Sequence, residues 1–558
     1  MSISQLKVSS TYPLKKDYIL PVQILMCTEG VSNAQLLLQD MEQQPRIGNG
    51  EVSEFSTVGG KKAAILLDFG SEFSGGIQLT TRLGSDKQGG MVHIRLGESV
   101  AEAMTPLQEK NACNHHSTHD MVVPVPLLSN TEWSQTAYRF AYIELVSPET
   151  TMEFTAICGA FTYRDIPYLG TFQCDDKLLE EIYQTSAYTV HLCMQENLWD
   201  GVKRDRLVWI GDMHPEMLAI RSVFGHQKVL DDGLRFIAAK DPLPGWPNEM
   251  ATYAMWYILI LWDWYEHNGK IGLLNELRDY WTGLLQNLAA LVHAEKPALI
   301  EQELQRGFFF DWPTQSMPVP SGAGVHALMA KALEAGVKLC QAVGEQTLAE
   351  ECSRKIPLLA DSGMEHGNMK QVVAMMSLAG HLPKEEAAKL LTLGGGKGMS
   401  TFQSYYILMA AAKTAGTQQA LAMLKEYYGG MLATGATTFW EDFDLDWLRD
   451  GARIDKVLEL GEYDIHGDNG RFCYEGLRHS LCHGWSAGPA AFLAENVLGV
   501  EIVEPGCRKV RIQPQLGHLQ WVKGTYPTPY GVISVEARRS GDQILTDIRL
   551  PEGVTQVQ

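Results

Sequence analysis

No stretch of this 558-residue chain is apolar for long enough to cross a bilayer. The apolar run Ala254–Trp262 falls far short of the ~20 residues that a spanning helix needs. Basic runs are just as scarce, none longer than a pair such as Lys15-Lys16 or Lys61-Lys62, and 46 Lys and Arg against 66 Asp and Glu leave a net charge of −20. Nucleic acid and anionic membrane both require clustered cations, so neither is expected as a partner. The ten cysteines form no C-x-x-C and repeat no spacing, which excludes a zinc ribbon or a disulfide framework and points to free thiols in a reducing compartment. Met-Ser-Ile-Ser-Gln-Leu-Lys-Val at the start lacks the apolar core of a secretory leader. A cytoplasmic location is expected, or a periplasmic one for a chain trimmed of its leader.

Length alone suggests roughly three or four domains. Up to about residue 165 the pattern is short and alternating. Ala63–Phe69, Gly76–Arg82, Met91–Leu96 and Tyr138–Val146 read as strands separated by turn residues, and their spacing predicts an antiparallel sandwich. Near Cys174 the period changes: Asp175 and Asp176 can cap a helix whose apolar positions run from Leu178 to Leu192. Helical segments dominate from there to about residue 498, among them Tyr253–Tyr265, Leu273–His293, Gly322–Val343, Phe402–Ala415, Gln418–Met431 and His479–Val497. About a dozen helices with no strand between them fit an α-barrel or toroid. Strand patterns return after Pro505, at 509–513, 519–524, 531–538 and 543–550. The expected fold is therefore multidomain β + α: an N-terminal β-sandwich (1–168), a central helical barrel (169–500) and a small C-terminal β-domain (501–558).

The densest chemistry lies in Asp200-Gly-Val-Lys-Arg-Asp-Arg-Leu-Val-Trp-Ile-Gly-Asp212, with three carboxylates, three cations and a tryptophan in thirteen residues. Leu207, Val208, Trp209 and Ile210 set these charges beside apolar surface, where carboxylates acquire perturbed pKa values. On this segment alone a catalytic cluster and a structural ion-pair network both remain open. Most of the 13 tryptophans lie in the helical section, several beside an acid: Trp199-Asp200, Asp311-Trp312, Trp440-Glu441 and Asp446-Trp447. Indole faces suit the C–H patches of sugars, and neighbouring carboxylates take hydroxyl hydrogen bonds. Glycosidic cleavage needs two carboxyl groups, one protonated and one ionised. Asp205 and Glu441 are the candidates by context, and Glu475, in Cys473-Tyr-Glu-Gly, is a reserve base. Two other signals are weak. Gly394-Gly-Gly-Lys-Gly398 lacks the spacing of a phosphate loop and reads as a helix–helix turn. His115-His116-Ser-Thr-His119 has no matched partner spacing for a metal, so it reads as a surface or interdomain loop that can shape a nearby pocket.

The Asp200–Asp212 segment resembles the signature of the bacterial α-L-rhamnosidases of glycoside hydrolase family 78, in a divergent Lys-Arg-Asp-Arg form. Ala436-Thr-Thr-Phe-Trp-Glu441, Ser480-Leu-Cys-His-Gly-Trp-Ser-Ala-Gly488, Phe309-Phe-Asp-Trp312 and Lys523–Gly531 are similar to further segments of that family. The resemblance implies an (α/α)6 barrel between β-domains and an exo-acting, inverting release of terminal α-L-rhamnose, with no metal and no cofactor. It further implies Asp205 as general acid and Glu441 as general base. Asp200, Arg204 and Asp212 would hold sugar hydroxyls, Trp209, Trp256 and Trp312 would line the pocket, and His483 would touch the sugar. Asp311 and Trp440 join these as expected substrate contacts. The expected partners are a terminal α-L-rhamnoside and a second copy of the chain. The alternatives are another inverting glycosidase or a glycoside phosphorylase on the same barrel, or a silent sugar-binding protein.

Overall fold

The computed structural model describes residues 13–39, 45, 47–48, 50–293, 308–360, 363–470 and 473–557. The first twelve residues, read above for a leader, lie outside them. The N-terminal domain is a nine-stranded antiparallel sheet folded as a sandwich, and its backbone is the long strand Ala63–Gly84 between Asn130–Leu145 and Thr151–Tyr163. The two runs read as separate strands, Ala63–Phe69 and Gly76–Arg82, are thus one strand. Register shifts between Asp68 and Phe73 and between Gly75 and Ile77 bend it. At Gly75 a Cβ would lie 2.0 Å from the Ala160 carbonyl oxygen, so only glycine lets the neighbouring strand approach. Ala63–Leu67 is apolar throughout because both of its faces are covered. Ile65 and Leu67 enter the main sandwich core, while Ala64 and Leu66 pack with Val100, Ala103, Phe140 and Tyr142.

Next comes a closed ring of helices. Ile210–Val223, Ala251–Asn268, Pro318–Val343, Lys370–Leu378, Ser404–Ala415 and Gly488–Phe492 contact one another in that order, and the last returns to the first. Lys177–Cys193, Lys228–Lys240, Arg278–Ala290, Gln346–Ala360, Lys384–Thr392 and Thr417–Ala433 pack outside them, so the described residues form a six-plus-six barrel. Burial follows this division. Every residue of Ile210–Val223 is buried, whereas Lys228–Lys240 buries only a stripe of Val229, Leu230, Gly233, Leu234 and Ile237. Asp176 caps the first outer helix as expected, its Oδ1 accepting from the Leu178 amide at 3.1 Å.

Two segments depart from the helical expectation. Leu273–His293 divides into Ile271–Glu276 and Arg278–Ala290, because Leu277 leaves the helical conformation. His479–Val497 begins as a loop and coils only from Gly484, where short 3-10, α and π turns succeed one another past Gly488-Pro489. That loop belongs to the site below. The Gly394–Gly398 segment is a turn between helices, and its Gly396 amide donates to Glu426 Oε2 at 2.7 Å. The C-terminal part holds a four-stranded and a three-stranded sheet. Thr171–Cys174, just ahead of the first outer helix, pairs antiparallel with Trp521–Thr528 and so ties the start of the barrel to the C-terminal sheet.

Candidate active site

The charged segment spans a loop and the start of a helix. Ile210 opens the helix, which places Asp212 in its first turn, where the backbone dipole favours an anion. Burial outweighs that preference and holds the Asp212 carboxyl well above its ordinary range. Its Oδ1 lies 3.0 Å from Nε2 of His483, across the barrel in sequence but adjacent in space. Asp200 organises the loop: its Oδ2 accepts from the Asp205 amide at 2.7 Å and its Oδ1 from the Leu207 amide at 2.9 Å. Its carbonyl accepts from the Gly484 amide at 2.6 Å. A Cβ at Gly484 would fall 1.8 Å from Glu216 Oε1, so a larger residue there would have to displace the buried Glu216 side chain. Burial, first among its causes, pushes Asp200 up to about 7.

Asp205 therefore sits on a loop gathered around the Asp200 carboxylate. Its side chain is 16% exposed, with Tyr474 Oη 3.5 Å and His116 Nε2 3.5 Å from Oδ1. The flanking arginines are engaged elsewhere. Arg204 is buried, donates to Cys113 Sγ at 3.4 Å and lies over the Tyr474 ring, while Arg206 lies over Trp199 and donates to the Gln135 carbonyl. Lys203, fully buried, is held 2.9 Å from Glu98 and 2.9 Å from Glu102 of the sheet domain and donates to the carbonyls of Leu477 and His479.

Glu441 arrives on the loop after the outer helix Thr417–Ala433. Its Oε1 accepts from Cys473 Sγ at 2.6 Å and its Oε2 from the Ser480 amide at 3.3 Å. Its carbonyl accepts from Trp485 Nε1 at 2.9 Å. Burial raises Glu441 to about 7, against the opposing pull of His483, the Cys473 hydrogen bond and Arg204.

These groups share one cavity of about 310 Å³. Asp200, Asp205, Asp212, Glu441 and His483 form its polar wall, with Trp209 and Trp312 among the apolar lining. Sequence reasoning left Tyr253, Phe309, Tyr474 and Trp485 without a role, yet all four line it. Phe309 and Trp485 stack with ring planes 4° apart, and Tyr253 meets Trp209 edge-on. Phe309, Tyr474 and Trp485 stand inside motifs already singled out, so membership of those motifs was the available signal. Tyr253 lies in a wholly apolar run and gave none.

Several expected contacts lie elsewhere. Trp256 is completely buried against His214, Phe402 and Tyr406 and lines a different cavity with Asp263. Trp440 is completely buried against Phe443 and His479. Asp311 points into the fold behind the cavity wall, where it caps the turn that presents Trp312 and accepts from Ser400 Oγ. Arg204 likewise stands behind the wall. Glu475 is exposed and outside the cavity lining. His119 is bound to Ser117, Thr136 and the Leu96 carbonyl, so the three histidines of its loop do not converge. Among the described residues Glu98, Glu102 and His466 come within metal-ligand distance of one another, but the Lys203 ammonium already binds both glutamates.

Residues 167–350 match the family model described as the bacterial alpha-L-rhamnosidase 6 hairpin glycosidase domain, and residues 499–557 match that of the bacterial alpha-L-rhamnosidase C-terminal domain. These two segments are similar to domains of the bacterial alpha-L-rhamnosidases. No curated protein sequence matches it. Among solved structures it is similar to a GH78 family rhamnosidase of Bacillus sp. GL1, with TM-score 0.72, 20% identity, and coverage of 94% of this chain and 57% of that one. It is also similar to a rhamnosidase from Klebsiella oxytoca with rhamnose bound, with TM-score 0.66, 18% identity, and coverage of 87% and 96%. A third similar structure is Streptomyces avermitilis alpha-L-rhamnosidase complexed with L-rhamnose, with TM-score 0.70, 15% identity, and coverage of 98% and 50%. At these identities the likeness is one of fold. The chain spans less than two thirds of the length of the Bacillus and Streptomyces proteins.

Proposed function

We propose that this protein is an exo-acting, inverting glycoside hydrolase that releases terminal α-L-rhamnose. Asp205 protonates the glycosidic oxygen as the C–O bond breaks. Glu441 takes a proton from the water that attacks the anomeric carbon from the opposite face, so the sugar leaves with inverted configuration. The observation that carries the reading is the aromatic-walled cavity that receives Asp205 and Glu441 from loops more than two hundred residues apart, the first of them inside the matched glycosidase segment 167–350. A carboxyl raised to about 7 is half ionised at neutral pH, which suits a base that must also release its proton each cycle. Asp212 and His483 form the hydrogen-bonding wall for sugar hydroxyls, and Trp209, Trp312 and Trp485 offer faces to its C–H patches. We assign Asp200 the further task of shaping the loop that carries Asp205. The working division is a sandwich over 1–168, the barrel over 169–500 and the C-terminal β-domain over 501–558. Ten free cysteines support a reducing, cytoplasmic setting.

One observation favours exchanged roles: burial lifts the Glu441 carboxyl to about 7, a value at which it can also carry a proton to donate. Aryl α-L-rhamnosides with good and poor leaving groups separate the two readings. Asp205→Asn is expected to lose at least ~100-fold in kcat/KM on the poor leaving group and much less on the good one. Glu441→Gln is expected to lose a similar factor on both and to regain turnover with azide, giving a β-azide. The opposite pattern reverses the roles, and unchanged turnover in both variants sinks the assignment. Release of β-rhamnose, read by proton NMR at early times, tests inversion. Turnover that needs inorganic phosphate would make the enzyme a phosphorylase.

A further inference from the structure

The catalytic loop is clasped by the N-terminal sheet domain at three consecutive residues. Lys203 is ion-paired to Glu98 and Glu102, and its carbonyl accepts from Ser117 Oγ at 3.3 Å. Arg204 donates to Cys113 Sγ. At Asp205 the third contact is His116, whose Nε2 stands 3.5 Å from the carboxyl Oδ1. Cys113, His116 and Ser117 all belong to the 113–119 loop. Its backbone at His116 has φ +68°, a left-handed conformation that costs a residue with a Cβ and is retained where surrounding structure enforces it. His116 is twice as exposed as Asp205, 32% against 16%, so the imidazole is the more solvent-accessible member of the pair.

We infer that His116, presented by the sheet domain, is a positioning residue for Asp205: its Nε2 accepts the hydrogen bond of the protonated carboxyl and so holds the acid in its proton-carrying form. The inference rests on the reading of Asp205 as proton donor. Catalytic hydrogen bonds commonly tighten only in the complex with substrate, and the 3.5 Å separation lies within reach of such tightening. A neutral imidazole is required, and burial, with Arg204 and Arg478 nearby, holds His116 below its ordinary value while Asp205 alone pulls it upward. The other groups facing the pair are accounted for. Asp200, Asp212 and Glu441 are carboxyls that oppose a second negative charge on Asp205, and the phenols Tyr253 and Tyr474 stay protonated. Arg204 and Arg206 adjoin Asp205 in the chain, and His115 adjoins His116.

Sharing the proton gives the pair a joint titration, with two signatures that a merely structural loop lacks. First, the His116 imidazole, followed by NMR in the intact protein with a His116→Gln variant for assignment, is expected to titrate about half a unit to one unit lower in Asp205→Asn than in wild type. Second, the alkaline limb of kcat/KM on an aryl α-L-rhamnoside with a poor leaving group, whose departure needs the proton, is expected to move about one pH unit down in His116→Ala, because the protonated acid loses its acceptor. His116→Gln, whose amide oxygen can accept, is expected to restore part of that shift. An imidazole titration that ignores Asp205→Asn overturns the inference, as does an alkaline limb that stays in place or moves upward in His116→Ala. Full turnover of the poor-leaving-group rhamnoside by Asp205→Asn removes the proton-donor reading itself. That failure is told apart because it appears in the Asp205 variant's rate, not in any His116 variant.

Discussion

At Glu441 three neighbours tune one carboxyl: the Cys473 thiol on Oε1, the Ser480 amide on Oε2, and low-dielectric packing all round. Burial raises its pKa and the thiol lowers it. Cys473→Ala is therefore expected to raise the pKa of Glu441 further. Because the base must be ionised, the acid limb of the kcat/KM profile then moves up, by roughly half a unit to one unit, while Cys473→Ser keeps a donor and leaves it nearly in place. A pH–rate series on an aryl rhamnoside reads the difference directly. Residue identity made Asp205, Glu441, Trp209 and Trp312 legible as a group, since each stands beside a residue of complementary chemistry. The same reasoning failed for Trp440, and the resemblance that placed Trp256 in the pocket failed with it. An indole next to an acid in sequence can still turn its ring into the core, and both rings are completely buried.

On the scale of elements, the 200–207 loop is fixed by one buried cation. Lys203 satisfies Glu98, Glu102 and two carbonyls of the 477–479 segment, so three chain regions meet at its ammonium. Removing one member of such a set leaves buried charge without compensation. Lys203→Met is expected to cost about 3–5 kcal/mol in urea denaturation, and Lys203→Met with Glu98→Gln and Glu102→Gln to cost clearly less. An additive result would show that the three do not act as a unit. Element types were readable wherever periodicity was strong, as in the capped helix after Asp176 and the strands of the sandwich. The His479–Val497 region was misread because its apolar content matches a helix. Gly484 and Gly488-Pro489 divide it, and the loop half carries the partners of Asp212, Lys203 and Glu441.

Taken as a whole, the molecule buries carboxyls that prefer to be neutral. Asp200, Asp311 and Glu441 each lie near 7 in the folded protein, well above the 3.8 and 4.5 of the free groups. A carboxyl whose pKa is raised by folding contributes its stability below the unfolded value and loses it as pH climbs through the folded one. The melting temperature is therefore expected to fall between about pH 4 and pH 7, and Asp311→Asn, which removes one such group, to flatten that slope in calorimetric scans. A slope identical to wild type would place the Asp311 carboxyl at an ordinary value. The same scale explains why the active site needs the sheet domain. Glu72 accepts from Thr438, three residues before Glu441, while Glu98, Glu102 and His116 meet the Asp205 loop.

By itself the sequence determined the β–α–β order, the capped helices and the charged segment with its distant carboxylate. All of these follow from local periodicity, capping chemistry and residue type, which act over a few positions of chain. Tertiary structure alone decided which side chains face one cavity. It turned Trp256, Trp440 and Asp311 into support behind the wall, brought Tyr253 and Tyr474 onto it, and left Glu475 outside. It also set the Glu441 carboxyl near 7, because that value depends on the dielectric of its surroundings more than on its chain neighbours. The aspartate between two arginines shows the difference most plainly. In sequence the cations crowd Asp205, but in the fold Arg204 turns to Cys113 and Arg206 to Trp199, and the nearby histidine comes from another domain.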